Sequence, residues 1–444
     1  MSAYGTVRGA VLAPGDDGYD AERTGFQTAD PHRPEVIVVA EDAAVEHAAE
    51  RGMPVAVQST GHGLPLPAGG GLLIATRKMT GVEIDPEART ARIEAGARWA
   101  RVVAAAAPHG LAPLSGSSPG VGAVSYTLGG GIGLMSRRYG FAADHVRSVD
   151  VVTADARLRH VTADSDPDLF WALLGGRANF GVVTSLEIGL FPVQRLYGGG
   201  LYFDADLIPE VMDTWRRWTE TVPDEMTSSV ALMPVPDVPA FPEPLRGRHV
   251  AHVRIAYTGD AAEGERLIAP LRAVGARLAD TVGEMPYTDS GLIHNEPPVP
   301  MAYRATNVAV AALDGDLVRD LLDLAGPGAP DRAIVEVRHL GGAMAKPPAV
   351  PNAVGNRDAA YLVGLLSKLG ADDTGGDALH GRFGGLLAAR SRGQVLNFLF
   401  GGNATTEQVR AAYEPETYRR LAELKAHHDP ANLFRLNHNI PPAK

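Results

Sequence analysis

Hydrophobic and polar positions between residues 35 and 57 follow a strand–helix–strand pattern. Val36-Ile37-Val38-Val39 is β-branched, residues 41–51 carry alanine and valine at helical spacing before Gly52, and Val55-Ala56-Val57 resumes a strand. The pattern predicts a small βαβ unit. Its second strand leads directly into the loop Gln58-Ser59-Thr60-Gly61-His62.

Short strands and helices continue to residue 191. The predicted strands cover residues 72–75, 82–85, 91–94, 149–153, 158–162 and 181–191, and the predicted helices cover 98–107 and 166–174. Pro192 and the run Gly198-Gly199-Gly200 then indicate a domain boundary.

Beyond this boundary, single long helices separate the strands. Helices are predicted over residues 208–222, 261–274 and 317–325, and strands over 229–233, 250–257 and 333–339. The tail, residues 407–442, is predicted to be helical up to Pro430 and extended after it. Strands separated in this way predict an α+β domain.

Composition narrows the class of protein. A chain of 444 residues predicts two domains, and 45% apolar with 21% charged residues is typical of globular proteins. A net charge of −11 argues against nucleic-acid or anionic-membrane partners. The chain has no cysteine, which excludes disulfides, thiolate metal sites and cysteinyl catalysis. We find neither a signal-peptide pattern nor a run of about 20 apolar residues, so a cytoplasmic location is expected.

Two glycine-containing segments could carry chemistry. Gly129-Gly130-Gly131-Ile132-Gly133 has the wrong spacing for a dinucleotide fingerprint, but it could hold phosphate through backbone N–H groups or form a tight turn. In Gly61-His62-Gly63, the histidine could be a base, a nucleophile toward a cofactor carbon, or a surface residue. No second ligand stands at metal-binding spacing, so no metal site is predicted.

Several motifs occur together in a characteristic order. They are Pro54 to His62, Gly116-Ser117-Ser118-Pro119-Gly120-Val121-Gly122, Thr127 to Gly133, Ser136 to Gly140, Asp168 to Leu173, Asn179 to Thr184, Asp429-Pro430-Ala431-Asn432-Leu433-Phe434-Arg435 and Asn437 to Pro442. In this order and spacing the chain resembles the berberine-bridge-enzyme-like branch of the vanillyl-alcohol-oxidase superfamily, whose FAD-binding domain is of the PCMH type.

The resemblance implies an α+β protein with a two-lobed FAD-binding domain over residues 1–195. A substrate domain with an antiparallel sheet is implied over 196–404, and a tail over 405–444 returns to the FAD domain. The family's histidine, which is linked to the flavin 8α-methyl carbon, falls on His62. The other implied cofactor-binding residues are Gln58, Ser59, Thr60, Gly61, Gly63, Ser117, Ser118, Val121, Gly122, Thr127, Leu128, Gly129, Gly130, Gly131, Gly133, Val182, Asn437 and Asn439.

The chain departs from the family pattern at several of these positions. Ser118 replaces the cysteine through which some members attach flavin a second time, so only the link through His62 is expected. Val121 falls on the family's gate to oxygen, and its small side chain indicates an oxidase. Gln58 stands where the family often has arginine, which leaves one phosphate charge uncompensated, and Thr60 where it often has glycine.

The family's catalytic tyrosines are also missing. Sugar- and alcohol-oxidising members place their base in a Tyr-x-Asn-Tyr strand, whereas this chain has Val395-Leu396-Asn397-Phe398. Other candidates for the base are Tyr361, Tyr413, His339 and Tyr202.

These features predict an FAD-dependent oxidase of a small substrate such as a secondary metabolite, with hydride transfer to flavin N5 and O2 as the acceptor. The substrate pocket is expected to be apolar, with Met344, Leu365, Phe398, Leu399 and Phe400 in its wall. Because the tyrosines are missing, two alternatives stay open: a flavin-dependent cyclase or isomerase without net oxidation, and a flavin- or ligand-binding protein with degenerate chemistry.

Overall fold

The fold belongs to the predicted α+β class. The computed structural model describes residues 9–40, 52–63, 67–369, 376–400, 402 and 405–444, which form three β-sheets with helices packed on them. The helix predicted over 41–51 lies outside the described residues.

The first sheet ends in the loop that contains His62. It consists of β1 (Gly9–Leu12), β2 (Val36–Ala40), β3 (Val55–Gln58) and β4 (Leu72–Ala75), in the order β1-β2-β4-β3. β2 and β3 both run parallel to β4, which lies between them. The two strands of the predicted unit are therefore parallel members of one sheet, with β4 inserted between them. All four residues of β4 are buried, which suits it to the central position.

The second sheet is antiparallel and follows directly along the chain. Its strands are β5 (Val82–Asp85), β6 (Thr90–Glu94), β7 (Val146–Val152), β8 (Leu158–Val161) and β9 (Val182–Gly189), in the order β5-β6-β9-β7-β8. The strands predicted over 82–85 and 91–94 form the antiparallel pair β5–β6, and those predicted over 149–153 and 158–162 form the pair β7–β8.

The third sheet has nine strands and provides one wall of the main cavity. Its strands are β10 (Arg195–Asp204), β11 (Met226–Pro234), β12 (His249–Tyr257), β13 (Ala279–Asp280), β14 (Gly283–Pro286), β15 (Tyr303–Val310), β16 (Ile334–His339), β17 (Tyr361–Lys368) and β18 (Ser391–Gly393). The main path runs β13-β10-β12-β11-β16-β17-β15-β18, with β14 also paired to β10.

The run Gly198-Gly199-Gly200 lies inside β10, the first strand of the third sheet, and is not a linker. Gly199 has φ of 142°, and a Cβ there would stand 2.4 Å from the carbonyl oxygen of Thr281. The glycines therefore let a neighbouring segment approach the strand closely. The predicted division of the chain at residues 195 and 404 stays a prediction.

The α-helices of the described residues are mostly short before residue 200 and longer after it. They span Tyr19–Arg23, Trp99–Ala106, Ala123–Leu128, Ser136–Tyr139, Pro167–Gly176, Ile208–Thr219, Ala261–Arg272, Gly315–Ala325, Gly376–Leu387, Thr406–Arg410 and Pro415–His428. Turns of 3₁₀ helix span Ala107–His109, Ala142–His145, Arg177–Asn179, Ala205–Leu207, Glu243–Leu245, Tyr287–Leu292, Gly342–Ala345, Ala388–Arg390 and Leu396–Phe398. No helix in the described ranges is both long and apolar enough to span a membrane.

The two faces of the third sheet differ in character. Val335 and Val337 alternate along β16 with Glu336 and Arg338. The valines join the core beneath the helices Ile208–Thr219, Ala261–Arg272 and Gly315–Ala325. The polar residues therefore lie on the opposite, cavity-facing side, because successive side chains of a strand point to opposite faces.

The C-terminal segment returns to the first sheet. The Nζ atom of Lys425 lies 2.7 Å from Oδ2 of Asp429, and both side chains are fully buried. The same ammonium group donates to the carbonyl oxygen of Asn179 at 2.6 Å, while the Asp429 carboxylate accepts from the N–H groups of Leu433 and Phe434. This ion pair folds the segment after Pro430 so that Leu433 and Phe434 pack on the sheet core.

Candidate functional site

A cavity of about 730 Å³ lies between the first sheet, the glycine-rich segment and the polar face of the third sheet. The loop of residues 58–63 lines it on one side, and residues 116–118 and 436–438 contribute further wall. The opposite wall comes from β12, β15, β16 and β17. A cavity of this size lies within the usual range for small-molecule and cofactor sites.

The loop that contains His62 is held by a neighbouring segment. The N–H groups of Phe26 and Gln27 donate to the carbonyl oxygens of Thr60 and Gly61, each at 3.0 Å. Gly61 has φ of 69°, and a Cβ there would stand 2.4 Å from Cα of Gly25. Glycine is therefore required at this crossing.

The same segment connects the loop to the third sheet. Nε2 of Gln27 donates to the carbonyl oxygen of Tyr303 at 2.9 Å, and the Tyr303 hydroxyl donates to the carbonyl oxygen of His62 at 2.6 Å. The N–H of Met301 donates to the carbonyl oxygen of Phe26 at 3.0 Å. One hydrogen-bonded path therefore joins the loop to β15.

The imidazole of His62 is oriented and uncharged. It stacks on Phe26 with ring centroids 3.9 Å apart, and its Nδ1 lies 2.8 Å from the Thr60 hydroxyl oxygen. Burial, and then the positive charge of Arg98, lowers the pKa of His62 to about 4. A neutral imidazole that faces a cavity has a nitrogen lone pair available as a nucleophile.

The loop also offers groups that suit a pyrophosphate. The Ser59 hydroxyl is buried and has no partner among the described residues. Among the described residues, the backbone N–H groups of Ser59 to His62 also have no acceptor. Donors gathered without acceptors form a concave site for an anion. The loop therefore fits the phosphate part of a dinucleotide such as FAD.

Arg177 is a cavity residue that the sequence pattern did not reveal. Its guanidinium is partly buried and donates to the carbonyl oxygen of Leu396 at 3.1 Å, but it forms no ion pair with a carboxylate of the described residues. Burial lowers its pKa to about 10, so it remains a cation at neutral pH. It lies beside Gly63 and offers a positive charge where Gln58 lacks one. Its φ of 56° is unusual for a residue with a side chain.

Most of the predicted cofactor-binding residues line the cavity, and the others pack behind it. The lining ones are Gln58, Ser59, Thr60, Gly61, His62, Gly63, Ser117, Ser118, Val121, Leu128 and Asn437. Those behind the wall are Gly122, Thr127, Gly129, Gly130, Gly131, Gly133, Val182 and Asn439.

Three of the five N–H groups in the glycine block are used by the chain itself. The N–H groups of Gly129 and Gly130 donate to the carbonyl oxygens of Tyr126 and Thr127, and that of Gly133 donates to the Ser136 hydroxyl. The block therefore forms a tight turn, and its role in cofactor binding stays a prediction. It also packs closely, since a Cβ at Gly129 would overlap the Asn397 side chain.

None of the candidates for the base lines this cavity. The hydroxyl of Tyr361 bonds that of Thr219 at 2.7 Å, and the Tyr413 hydroxyl donates to the carbonyl oxygen of Gly175 at 2.8 Å. Tyr202 stacks on His252. These side chains are buried and lie outside the cavity lining, so the structure does not support any of them as the base.

His339 is similarly displaced from the main cavity. Its Nε2 lies 2.9 Å from a guanidinium nitrogen of Arg137, and it stacks on Tyr361. It borders only a small void of about 20 Å³ next to Ser117. The strand register places His339 opposite Tyr361, on the face of the sheet that turns away from the cavity.

The segment 395–398 is not a strand, contrary to expectation. Leu396–Phe398 forms one turn of 3₁₀ helix. The amide side chain of Asn307 bonds both the N–H and the carbonyl oxygen of Val395, and so takes the place of a neighbouring strand. Phe398, which replaces one of the family tyrosines, lines the cavity and places an apolar ring there without a hydroxyl.

The predicted apolar wall is present only in part. Leu365, Phe398 and Phe400 line the cavity, whereas Met344 and Leu399 do not. Charged residues that were not predicted complete the wall opposite the loop, among them Arg254, Glu336 and Arg338. The alternation of Glu336 and Arg338 with valines in β16 was the available signal for them.

Buried neutral histidines make the stability of the fold depend on pH. Burial lowers the pKa of His32 to about 4, and burial with Arg137 lowers that of His339 to about 3. Below pH 6.5 the unfolded chain binds protons that the folded chain does not. Each such histidine therefore leaves the free energy of unfolding unchanged above pH 6.5. As the pH falls from 6.5 toward 4, each one lowers the free energy of unfolding by about 1.4 kcal/mol per pH unit.

We expect the melting temperature to fall steadily between pH 6.5 and 4.5 at constant ionic strength, and to change little between pH 6.5 and 8. Differential scanning fluorimetry measures this. The exposed His109 provides the control, since His109→Gln should leave the slope unchanged. An unchanged melting temperature from pH 6.5 to 5 would contradict the argument.

The chain matches two family models and is similar to several known proteins. A family model described as an FAD binding domain matches residues 40–162, and one described as berberine and berberine like matches residues 400–441. The chain is 30% identical to (R)-6-hydroxynicotine oxidase of Paenarthrobacter nicotinovorans over 98% of this chain and 97% of the relative. It is 25% identical to a chitooligosaccharide oxidase of Gibberella zeae over 97% of this chain and 92% of that protein.

A solved structure is similar to this chain over its whole length. The crystal structure of 6-hydroxy-D-nicotine oxidase from Arthrobacter nicotinovorans superposes with a TM-score of 0.85 at 25% identity and full coverage of both chains. A relative of this similarity shares the fold from end to end.

Proposed function

The chain belongs to the berberine-bridge-enzyme-like, FAD-linked oxidoreductases, and on that premise we propose that it is an oxidase of a small organic molecule such as a secondary metabolite, with O2 as electron acceptor. FAD, when bound, accepts a hydride at its N5 atom and passes both electrons to O2, which yields H2O2. The relatives named as oxidases support this direction of electron flow. A cytoplasmic location stays a prediction.

In this proposal His62 forms a single covalent link to the flavin. Its uncharged ring, held by Phe26 and Thr60 at the edge of the cavity, is the observation on which the proposal mainly rests. Ser118 cannot form a second link, and the chain has no cysteine that could. Ser59, the N–H groups of the loop and Arg177 are positioned to bind the pyrophosphate.

The remaining residues would bind and orient the substrate. Phe398 and Phe400 supply apolar wall that excludes water, and β12 and β16 supply the polar wall opposite the loop. Val121 lines the cavity and is small enough to leave room for O2 to approach.

A second function is supported by one observation. The positions of the two family tyrosines hold Val395 and Phe398, and neither carries a group that could accept a proton. A cyclase or isomerase, in which the flavin shapes the pocket and no net oxidation occurs, would not require that base.

An anaerobic screen of small organic compounds tests the proposal. We expect at least one compound to bleach the oxidised flavin band near roughly 450 nm, and air to restore the band with one O2 consumed per turnover. Turnover of a substrate without O2 consumption would favour the cyclase or isomerase. A bound flavin that responds to no compound in the screen would favour a degenerate binding protein.

A further inference from the structure

The cavity is rich in positive charge, although the protein as a whole is acidic. Five cationic side chains line it against two carboxylates, in a chain with 41 basic and 52 acidic residues. The cationic residues are Arg177, Arg254, Arg332, Arg338 and Lys368, and the acidic ones are Glu296 and Glu336. Such an excess inside a cavity attracts anions.

Two of these cations form a buried cluster on the third sheet. Arg254 of β12 and Arg338 of β16 both contact the carboxylate of Glu336, Arg338 through Nε at 2.8 Å. Burial raises the pKa of Glu336, but Arg338 and Arg254 together outweigh burial and hold it below its usual value. The cluster therefore combines two guanidinium charges with one carboxylate charge.

The neighbouring histidines do not change this balance. Burial is the main cause that lowers the pKa of His252 and of His294 well below the usual value, so both rings are neutral. Nδ1 of His294 is buried and has no hydrogen-bond partner among the described residues. Its distances to Glu296 and Glu336 are 3.9 Å and 3.8 Å. Glu296 is more exposed than Glu336, so the group of Arg254, Arg338 and Glu336 carries one positive charge without a carboxylate partner of its own.

The guanidinium groups also keep donors available. Nη2 of Arg254 has only the thioether sulfur of Met233 as an acceptor, at 3.7 Å, and thioether sulfur is a weak acceptor. Nη1 of Arg338 has no acceptor in the described part of the chain, and its guanidinium lies over the Phe398 ring at 4.8 Å. Each guanidinium group therefore keeps one N–H donor that could bind an oxygen atom of a carboxylate.

We propose that the substrate carries a carboxylate, which Arg338 and Arg254 bind while Phe398 and Phe400 contact its apolar body. The inference rests on the proposed function and narrows the substrate to small organic acids. Within this site Glu336 holds the two guanidinium groups in place and limits the excess charge to one.

Benzoate and benzamide test the inference, because they have the same shape and differ in charge. Each is titrated into the purified holoprotein while the oxidised flavin spectrum is recorded, and calorimetry measures binding independently of the flavin. We expect benzoate to bind at least about tenfold more tightly than benzamide, which corresponds to about 1.4 kcal/mol. Arg338→Met should remove that preference, and Glu336→Gln should increase the affinity for benzoate.

Arg319→Met is the matched control, since Arg319 is exposed on the helix Gly315–Ala325, and this variant should bind both probes as the unaltered protein does. Melting temperatures and flavin-to-protein ratios report whether each variant folds. Because Glu336→Gln acts in the opposite direction, a folding defect in Arg338→Met leaves the inference testable.

Equal affinities for benzoate and benzamide would overturn the inference. An Arg338→Met variant that still prefers benzoate would also overturn it. The same holds if Arg338→Met changes only the reduction potential of the flavin, because the positive charge of Arg338 would then stabilise the reduced cofactor and not a substrate carboxylate. A protein that contains no flavin would instead contradict the proposed function, and the ratio of flavin to protein reveals this before any titration.

Discussion

Replacing Lys425 with methionine is expected to lower the free energy of unfolding by about 3 to 5 kcal/mol. The ammonium group of Lys425 is fully buried and contacts Asp429, Asn179 and the carbonyl oxygen of Phe434. Methionine fills the space but leaves the charge of Asp429 buried without its partner. The loss should be large because the carboxylate cannot reach water to compensate.

Urea denaturation followed by tryptophan fluorescence measures this loss. Lys346→Met is the matched control, since that ammonium group is exposed and lies 3.6 Å from Asp224, so about 0.5 kcal/mol or less is expected. A Lys425→Met variant as stable as the control would show that the buried pair contributes no net stability.

Replacing His62 with alanine is expected to remove all covalently bound flavin. Ser118 also lines the cavity, but a serine hydroxyl is a poor substitute for a cysteine thiolate as a second attachment point. After acid precipitation, the pellet of the unaltered protein should retain the flavin absorbance, whereas the pellet of His62→Ala should be colourless and the flavin should remain in the supernatant. A yellow pellet from the variant would contradict the assignment.

The Thr60 hydroxyl should set the rate of this attachment. It lies 2.8 Å from Nδ1 of His62 and so holds the orientation of the ring. Thr60→Val should slow attachment about tenfold, the equivalent of one hydrogen bond. Thr60→Ser, which keeps the hydroxyl, should attach flavin at the normal rate. The time course of flavin bound to acid-precipitated apoprotein after FAD is added distinguishes the two.

The order of motifs along the chain was sufficient to predict the fold class and the position of the loop of residues 58–63 directly after a strand. The loop is local, because β3, Gly61 and His62 follow one another within a few residues. Motifs that depend on neighbours far along the chain were harder to interpret. The block Gly129 to Gly133 resembles a phosphate site in composition, but the N–H groups of Gly129 and Gly130 donate to carbonyl oxygens of the preceding helix, which only the folded structure reveals.

The candidates for the base were misplaced for a reason that the sequence contains. Along β16 the residues Val335, Val337 and His339 share one face, and Glu336 and Arg338 share the other. Applying this period of two would have assigned His339 to the core and the charged pair to the cavity. Arg177 could not be found in this way, since it lies in an irregular turn and its role depends on Gly63, more than a hundred residues earlier.

The path from Gln27 through Tyr303 to His62 limits how this protein can be recombined with its relatives. β15 belongs to the sheet that lines the cavity opposite the loop of residues 58–63, yet it is hydrogen-bonded to that loop and to Gln27. A chimera that exchanges residues 196–404 alone would replace Tyr303 and retain Gln27 and His62. The hydrogen bonds that join these residues would then depend on a strand from another protein. Transplanting substrate preference should therefore succeed only when residues 25–28 are transferred together with the sheet.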